Sequence, residues 1–73
     1  VSYTVILMYD PEYEGYVASV PALPGCVTNG HTLEEAIAMA KDAIGLYVES
    51  LREHGEPVPA QDRPPVVTMV EAA

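Results

Sequence analysis

Residues 15–35, GYVASVPALPGCVTNGHTLEE, place a short alternating strand, a Pro-Gly loop, a second short strand and a helix start end to end with almost no spacer. Tyr16, Ala18 and Val20 alternate with Val17 and Ser19, the period of two that half-buries a strand. Pro21-Ala22-Leu23-Pro24-Gly25 cannot continue a central strand, because two prolines remove ladder donors and Gly25 admits an unusual backbone angle. It reads as a loop whose Leu23 turns back into the core. Residues 26–30, CVTNG, then form a short strand closed by an Asn-Gly turn signal. Thr32 and Glu35 stand in the T-x-x-E spacing of a capping box, in which the threonine hydroxyl takes the Glu35 N–H and the carboxylate returns to the Thr32 N–H.

Upstream, residues 3–9, YTVILMY, are β-branched and aromatic on both faces, which predicts a central strand covered on both sides. Residues 10–15, DPEYEG, form the turn into the hairpin, with Pro11 presetting φ and Gly15 free to take a positive one. Downstream, Leu33, Ala36, Ile37, Ala40, Ile44, Tyr47, Val48 and Leu51 recur every three or four residues, and the charged residues fall mostly on the other side. This predicts one long amphipathic helix ending near His54, with Gly55 as its stop and Pro57 and Pro59 preventing a restart. Gly45, costly by up to about 1 kcal/mol in mid-helix, is expected to mark a close approach by another element. Residues 65–70, PVVTMV, read as a last strand. The order is then βββαβ: a small α/β fold of the α+β type, with a mixed four-stranded sheet and one long helix on one face. A right-handed crossover lays the last strand parallel to the first.

At 73 residues the chain is expected to be one domain, 1–73. A chain this short buries only about 60% of the surface its unfolded form exposes, so help from a second subunit is expected. Since one helix cannot cover both faces of four strands, the apolar first strand points to a homodimer or higher homo-oligomer. Eleven acidic residues stand against Lys41, Arg52 and Arg63, a formal net charge of −8. Three scattered cations cannot form the patch that displaces counterions from phosphate, which argues against direct nucleic-acid binding and for a basic protein partner. Cys26 is the single cysteine, no Cys/His cluster has zinc-ligand spacing, and no cofactor motif is present. No apolar run is long enough to cross a bilayer, and no basic region precedes an apolar stretch at the N-terminus, so a cytoplasmic protein with no membrane partner is expected.

The sharpest local pattern, Val20-Pro21-Ala22-Leu23-Pro24-Gly25-Cys26 followed by Gly30-His31-Thr32-Leu33-Glu34-Glu35-Ala36, resembles the HicB-type antitoxins. Tyr47, Leu51 and Gly55-Glu56-Pro57-Val58-Pro59 resemble that family's exit from the helix. His31 is a departure, the position being more usually acidic. The resemblance implies a truncated ribonuclease H-like fold without nuclease activity, and a domain that binds and blocks HicA, a small basic ribonuclease. Relatives carry a C-terminal DNA-binding segment that these residues do not match, so operator binding is not carried over. Neutralisation would be steric and electrostatic, an acidic surface covering the toxin's RNA-binding face. The candidates for that surface are Asp10, Glu12 and Glu14 in the first turn and Glu34, Glu35 and Asp42 on the exposed side of the helix.

Three chemical rivals weigh less. Asp10 with Glu35 or Asp42 could converge on a divalent metal, but the last strand offers Thr68, Met69 and Val70 where another ligand is needed. Cys26 could be a nucleophile only with a base such as His31 beside it. Tyr3, Tyr9, Tyr13, Tyr16 and Tyr47 could stack bases, but no Lys or Arg is interleaved among them. The expectation is therefore no enzyme, with no catalytic and no metal-ligating residues. The non-enzymatic alternative to an antitoxin is a stand-alone dimeric interaction or regulatory module with no toxin partner.

Overall fold

A computed structural model describes residues 2–61 and 63–73. Three strands, β1 (Ile6–Asp10), β2 (Gly15–Ser19) and β3 (Val27–Gly30), precede one helix, α1 (Leu33–Glu53). The sheet is antiparallel throughout in the order β1-β2-β3. Ala18 sits opposite Leu7 on one side and Thr28 on the other, and Tyr16 opposite Tyr9 and Gly30. Directly paired residues share a face, so Leu7, Tyr9, Tyr16, Ala18, Thr28 and Gly30 look toward the helix. Ile6, Met8, Val17, Ser19, Val27 and Asn29 look away from it. That second face is bare: Met8 is 68% and Val27 59% exposed.

The first turn forms by a different route from the one its glycine suggests. Asp10 Oδ1 accepts the N–H groups of Glu12 at 3.0 Å and Tyr13 at 3.4 Å, an Asx-type closure. The positive φ falls on Glu14, at 58°, and not on Gly15. Gly15 is required for closeness instead: a Cβ there would lie 2.8 Å from the Tyr13 ring and 2.9 Å from the His31 Cα.

The Pro-Gly loop closes through three backbone bonds, Val20 N–H to Cys26 C=O at 3.1 Å, Leu23 N–H to Val20 C=O at 3.0 Å and Cys26 N–H to Leu23 C=O at 3.0 Å. This coil drives Leu23 inward to zero exposure, as its sequence implies. Val20, Leu23 and Cys26 form the core, with Tyr3, Val5, Ala43, Ile44 and Tyr47 packed around them. The Tyr47 hydroxyl donates to Pro24 C=O at 2.8 Å, pinning the helix to the loop.

Thr32 caps α1 by accepting Glu35 N–H at 3.0 Å. The return bond differs by one residue from the expected box, because the Glu35 carboxylate takes the N–H of His31 at 3.3 Å. At the other end Gly55, with φ 67°, donates to Arg52 C=O at 3.1 Å and Glu56 to Leu51 C=O at 2.8 Å, a Schellman stop. The helix lies over β3 and β2, burying Ala36, Ala40 and Val48. Leu33 and Ile37, assigned above to the apolar face, stay about half exposed at 46% and 49%.

The first strand is not the covered central strand expected: β1 lies at the edge of the sheet, with Met8 68% exposed. Two further expectations are corrected. The order is βββα, with three antiparallel strands in place of a mixed four-stranded sheet: the described residues of 65–70 form no strand. Pro64 and Pro65 have no N–H to give a ladder, and the helix covers β2 and β3 without extending a platform beyond β1. The segment leaves the body, leaving Val66, Val67, Met69 and Val70 between 85% and 98% exposed. The radius of gyration is accordingly 14.0 Å, against about 11 Å for a compact chain of this length. Gly45 also fails its expectation, since nothing lies within 4 Å of a Cβ built on it.

Candidate functional site

The acidic candidates come from two places far apart in sequence. Asp10 closes β1 and Glu12 and Glu14 occupy the turn after it, while Glu34 and Glu35 lie in the first turn of α1. The sheet register brings these together. Gly15 starts β2 opposite Asp10, and Tyr16 pairs with Gly30, the last residue before the helix connection. The turn and the helix N-terminus are therefore neighbours at one end of the molecule.

His31 joins them. Its imidazole stacks on Tyr13, centroids 4.4 Å apart and planes 16° from parallel. Its Nδ1 lies 3.4 Å from the carbonyl oxygen of Glu14, and its own N–H is held by Glu35. Glu14, through its backbone carbonyl, and Glu35, through its carboxylate, are thus tied to the same residue, and both residues are exposed. Carboxylates in the first helical turn are also favoured by the helix dipole, so the acidic end is compatible with the helix it caps. The Asp10 carboxylate has a structural duty in the turn as well as a charge.

Asp42 is not part of that end. It lies seven residues beyond Glu35, about 10 Å along the helix axis and on nearly the same side. The same interval leads on to Glu49, so Glu35, Asp42 and Glu49 form an acidic line. Glu49 is absent from the candidates above, although its seven-residue spacing is readable in the sequence. The Tyr13–His31 stack had no such signal, because the two residues stand in different elements.

Among the described residues no group of three or more His, Cys, Asp or Glu side chains is placed to hold a metal ion. Cys26 is a free, buried thiol, and burial pushes its pKa up from the ordinary 9.0, away from the reactive thiolate. His31, the only base near it in sequence, is engaged by Tyr13 and Glu14. The tyrosines have structural work: Tyr9 and Tyr16 meet edge to face at 5.4 Å, and Tyr3 donates its hydroxyl to Pro59 C=O. No helix among the described residues is long and apolar enough to cross a membrane.

The HicB-like antitoxin profile of bacterial toxin-antitoxin systems matches residues 3–71. A UPF0150 protein of Thermoplasma acidophilum is 53% identical over 57 residues, 78% of this chain and 81% of the relative. A UPF0150 protein of Synechocystis is 46% identical over 61 residues, 84% of this chain and 76% of the relative. A 14.9 kDa protein of Haemophilus phage HP1 is 48% identical over 46 residues, 63% of this chain and only 35% of that protein. The fold is a small antiparallel sheet under one capped helix, with acidic residues gathered at one end. The chain belongs to the HicB-like antitoxin family.

Proposed function

We propose that this chain binds a small, basic, RNA-cleaving toxin of the HicA type and neutralises it by covering its RNA-binding and active face, without chemistry of its own. The observation that carries this reading is the joining of the β1–β2 turn to the start of α1 through His31, which concentrates Glu12, Glu14, Glu34 and Glu35 at one end. Asp10 supports the turn, and Asp42 extends the acidic surface along the helix. A field of this sign attracts a basic partner, speeds encounter and repels the phosphates that the toxin would otherwise meet. The protein works in the cytoplasm as a homodimer, needs no cofactor and does not grip nucleic acid directly. The whole of residues 1–73 acts as one domain.

Affinity capture with this chain as bait, at low and high salt, tests the proposal. Recovery of a small basic protein that salt releases, and that cleaves RNA once freed, supports it. Recovery of only the chain itself contradicts it. A second reading is a stand-alone dimeric module of the same family with no toxin partner, favoured by the bare apolar face around Met8 and Val27. A neighbouring short reading frame for a basic protein argues for the antitoxin, and an isolated gene for the module.

A further inference from the structure

Three features are not used by the acidic end. The first is the outer edge of β1. Because the sheet order is β1-β2-β3, one whole row of β1 backbone groups faces away from every other strand. The second is the segment 66–70, five residues with no charge and four large apolar side chains almost fully exposed. The third is an open groove of about 650 Å³ between Tyr3, at the approach to β1, and Ile44, Gly45, Val48, Glu49, Arg52 and Glu53 of the helix. Gly45 forms part of its wall and meets no neighbour in its own chain.

We propose that the segment 66–70 of one copy adds as a strand to the outer edge of β1 in a second copy, alternate side chains filling the groove, with the exchange reciprocated. The occupant is a second copy because one sequence supplies both halves. The arm and β1 are each five residues, about 17 Å of strand, so their lengths match. Both are free of charge except Asp10 at the far end of β1, so arm and strand bring no pair of carboxylates together, and the groove's charged residues, Glu49, Arg52 and Glu53, meet an arm that carries no charge. The arm is also launched outward. The Tyr3 hydroxyl bonds to Pro59, Gln61 Oε1 accepts Thr4 N–H at 3.0 Å, and Gln61 Nε2 donates to Arg63 C=O at 2.6 Å. These contacts hold the connection at the start of β1, and Pro64-Pro65 then stiffens an extended course away from the body. An open edge beside an apolar arm invites pairing with another chain. Reciprocity doubles the contact, which is how short segments approach the roughly 1,200 Å² that a stable interface buries. The same contact gives Gly45 its reason: an arm side chain in the groove needs the room that a bulky residue would fill.

This specifies the homodimer of the proposed function and does not depend on the toxin. The test uses the whole 73-residue chain. Light scattering reads the mass, and isotope-filtered NOEs on labelled and unlabelled chains refolded together read which molecule's arm lies against β1. The expected result is a mass of twice 7.8 kDa with intermolecular NOEs from Val67 and Met69 to the β1 residues. Gly45→Leu, whose side chain has open space in a single chain, should fill the groove and return the mass to one chain with helix content retained. A dimer whose arm NOEs are all intramolecular, a monomeric wild type, or a Gly45→Leu variant that keeps the intermolecular NOEs overturns the exchange. A dimer without exchange leaves the homodimer itself standing, so the two failures are distinguishable.

Discussion

Tyr13 and His31 stack face to face, 4.4 Å between ring centroids, and so couple the turn after β1 to the residue that leads into the helix. Neither ring is deeply buried, and their value lies in position: one acidic segment is registered against the other. Replacing either by alanine should cost stability, and a double-mutant cycle should return a coupling of about 0.5–1.5 kcal/mol, the range of paired rings. Thermal unfolding of the two single variants and the double variant measures it. Additive losses would mean that the stack is only proximity.

Gly30 ends β3 directly beneath the helix start. A Cβ there would come within 2.8 Å of the Ala36 Cα, a backbone atom that cannot step aside alone. Gly30→Ala should therefore destabilise the fold by about 1–3 kcal/mol through overpacking. Denaturant unfolding checks this, with Gly45→Ala as the contrast, since open space at that position lets the gain in helix propensity show.

Leu23 is completely buried at the tip of a loop that has no regular secondary structure. Leu23→Ala should cost about 2–5 kcal/mol, a large part of the stability of so small a core. Loss of the cooperative unfolding transition at moderate temperature is the expected observation.

The Cys26 thiol is raised by desolvation, which sets the sign of an alkaline effect. The folded state holds its proton more tightly than the unfolded state does. Stability is therefore unaffected below the unfolded thiol's pKa and falls as pH rises through it toward the folded value. Unfolding free energies of wild type and Cys26→Ala, followed from pH 7 upward, should converge above about pH 9, the cysteine losing an advantage that alanine never had. Parallel curves would contradict the desolvation.

Much of this was legible locally. Thr32 and Glu35, Leu23 in its loop, and the Gly55 stop each depend on neighbours within a few residues, and each stands where the sequence puts it. The misreadings have one cause, which is that the deciding contact lies elsewhere in the chain or outside it. Gly15 announces a positive φ but is needed for its approach to His31. The apolar run at 66–70 announces a strand but finds no ladder in a single chain. Among the site candidates, Glu34 and Glu35 were placed by the cap. Their union with the turn depended on the sheet register and on a ring stack that no spacing reveals.

The acidic end is testable by charge reversal at Glu12, whose one hydrogen bond is made by its backbone N–H, and at Glu34. Glu12→Lys with Glu34→Lys should slow association with a basic partner at least tenfold at low salt, the steering effect of opposed fields, and leave little difference at high salt. Helix stability should fall by only about 0.3–1 kcal/mol, from the lysine in the first turn. Stopped-flow binding and circular dichroism separate the two effects.

The most direct measurement is a titration of RNA cleavage by the purified basic partner against increasing amounts of this chain. Neutralisation by occlusion gives inhibition that saturates at a fixed stoichiometry, weakens with salt, and is relieved by the Glu12→Lys, Glu34→Lys variant. Cleavage that continues undiminished in the presence of excess wild-type chain would contradict it.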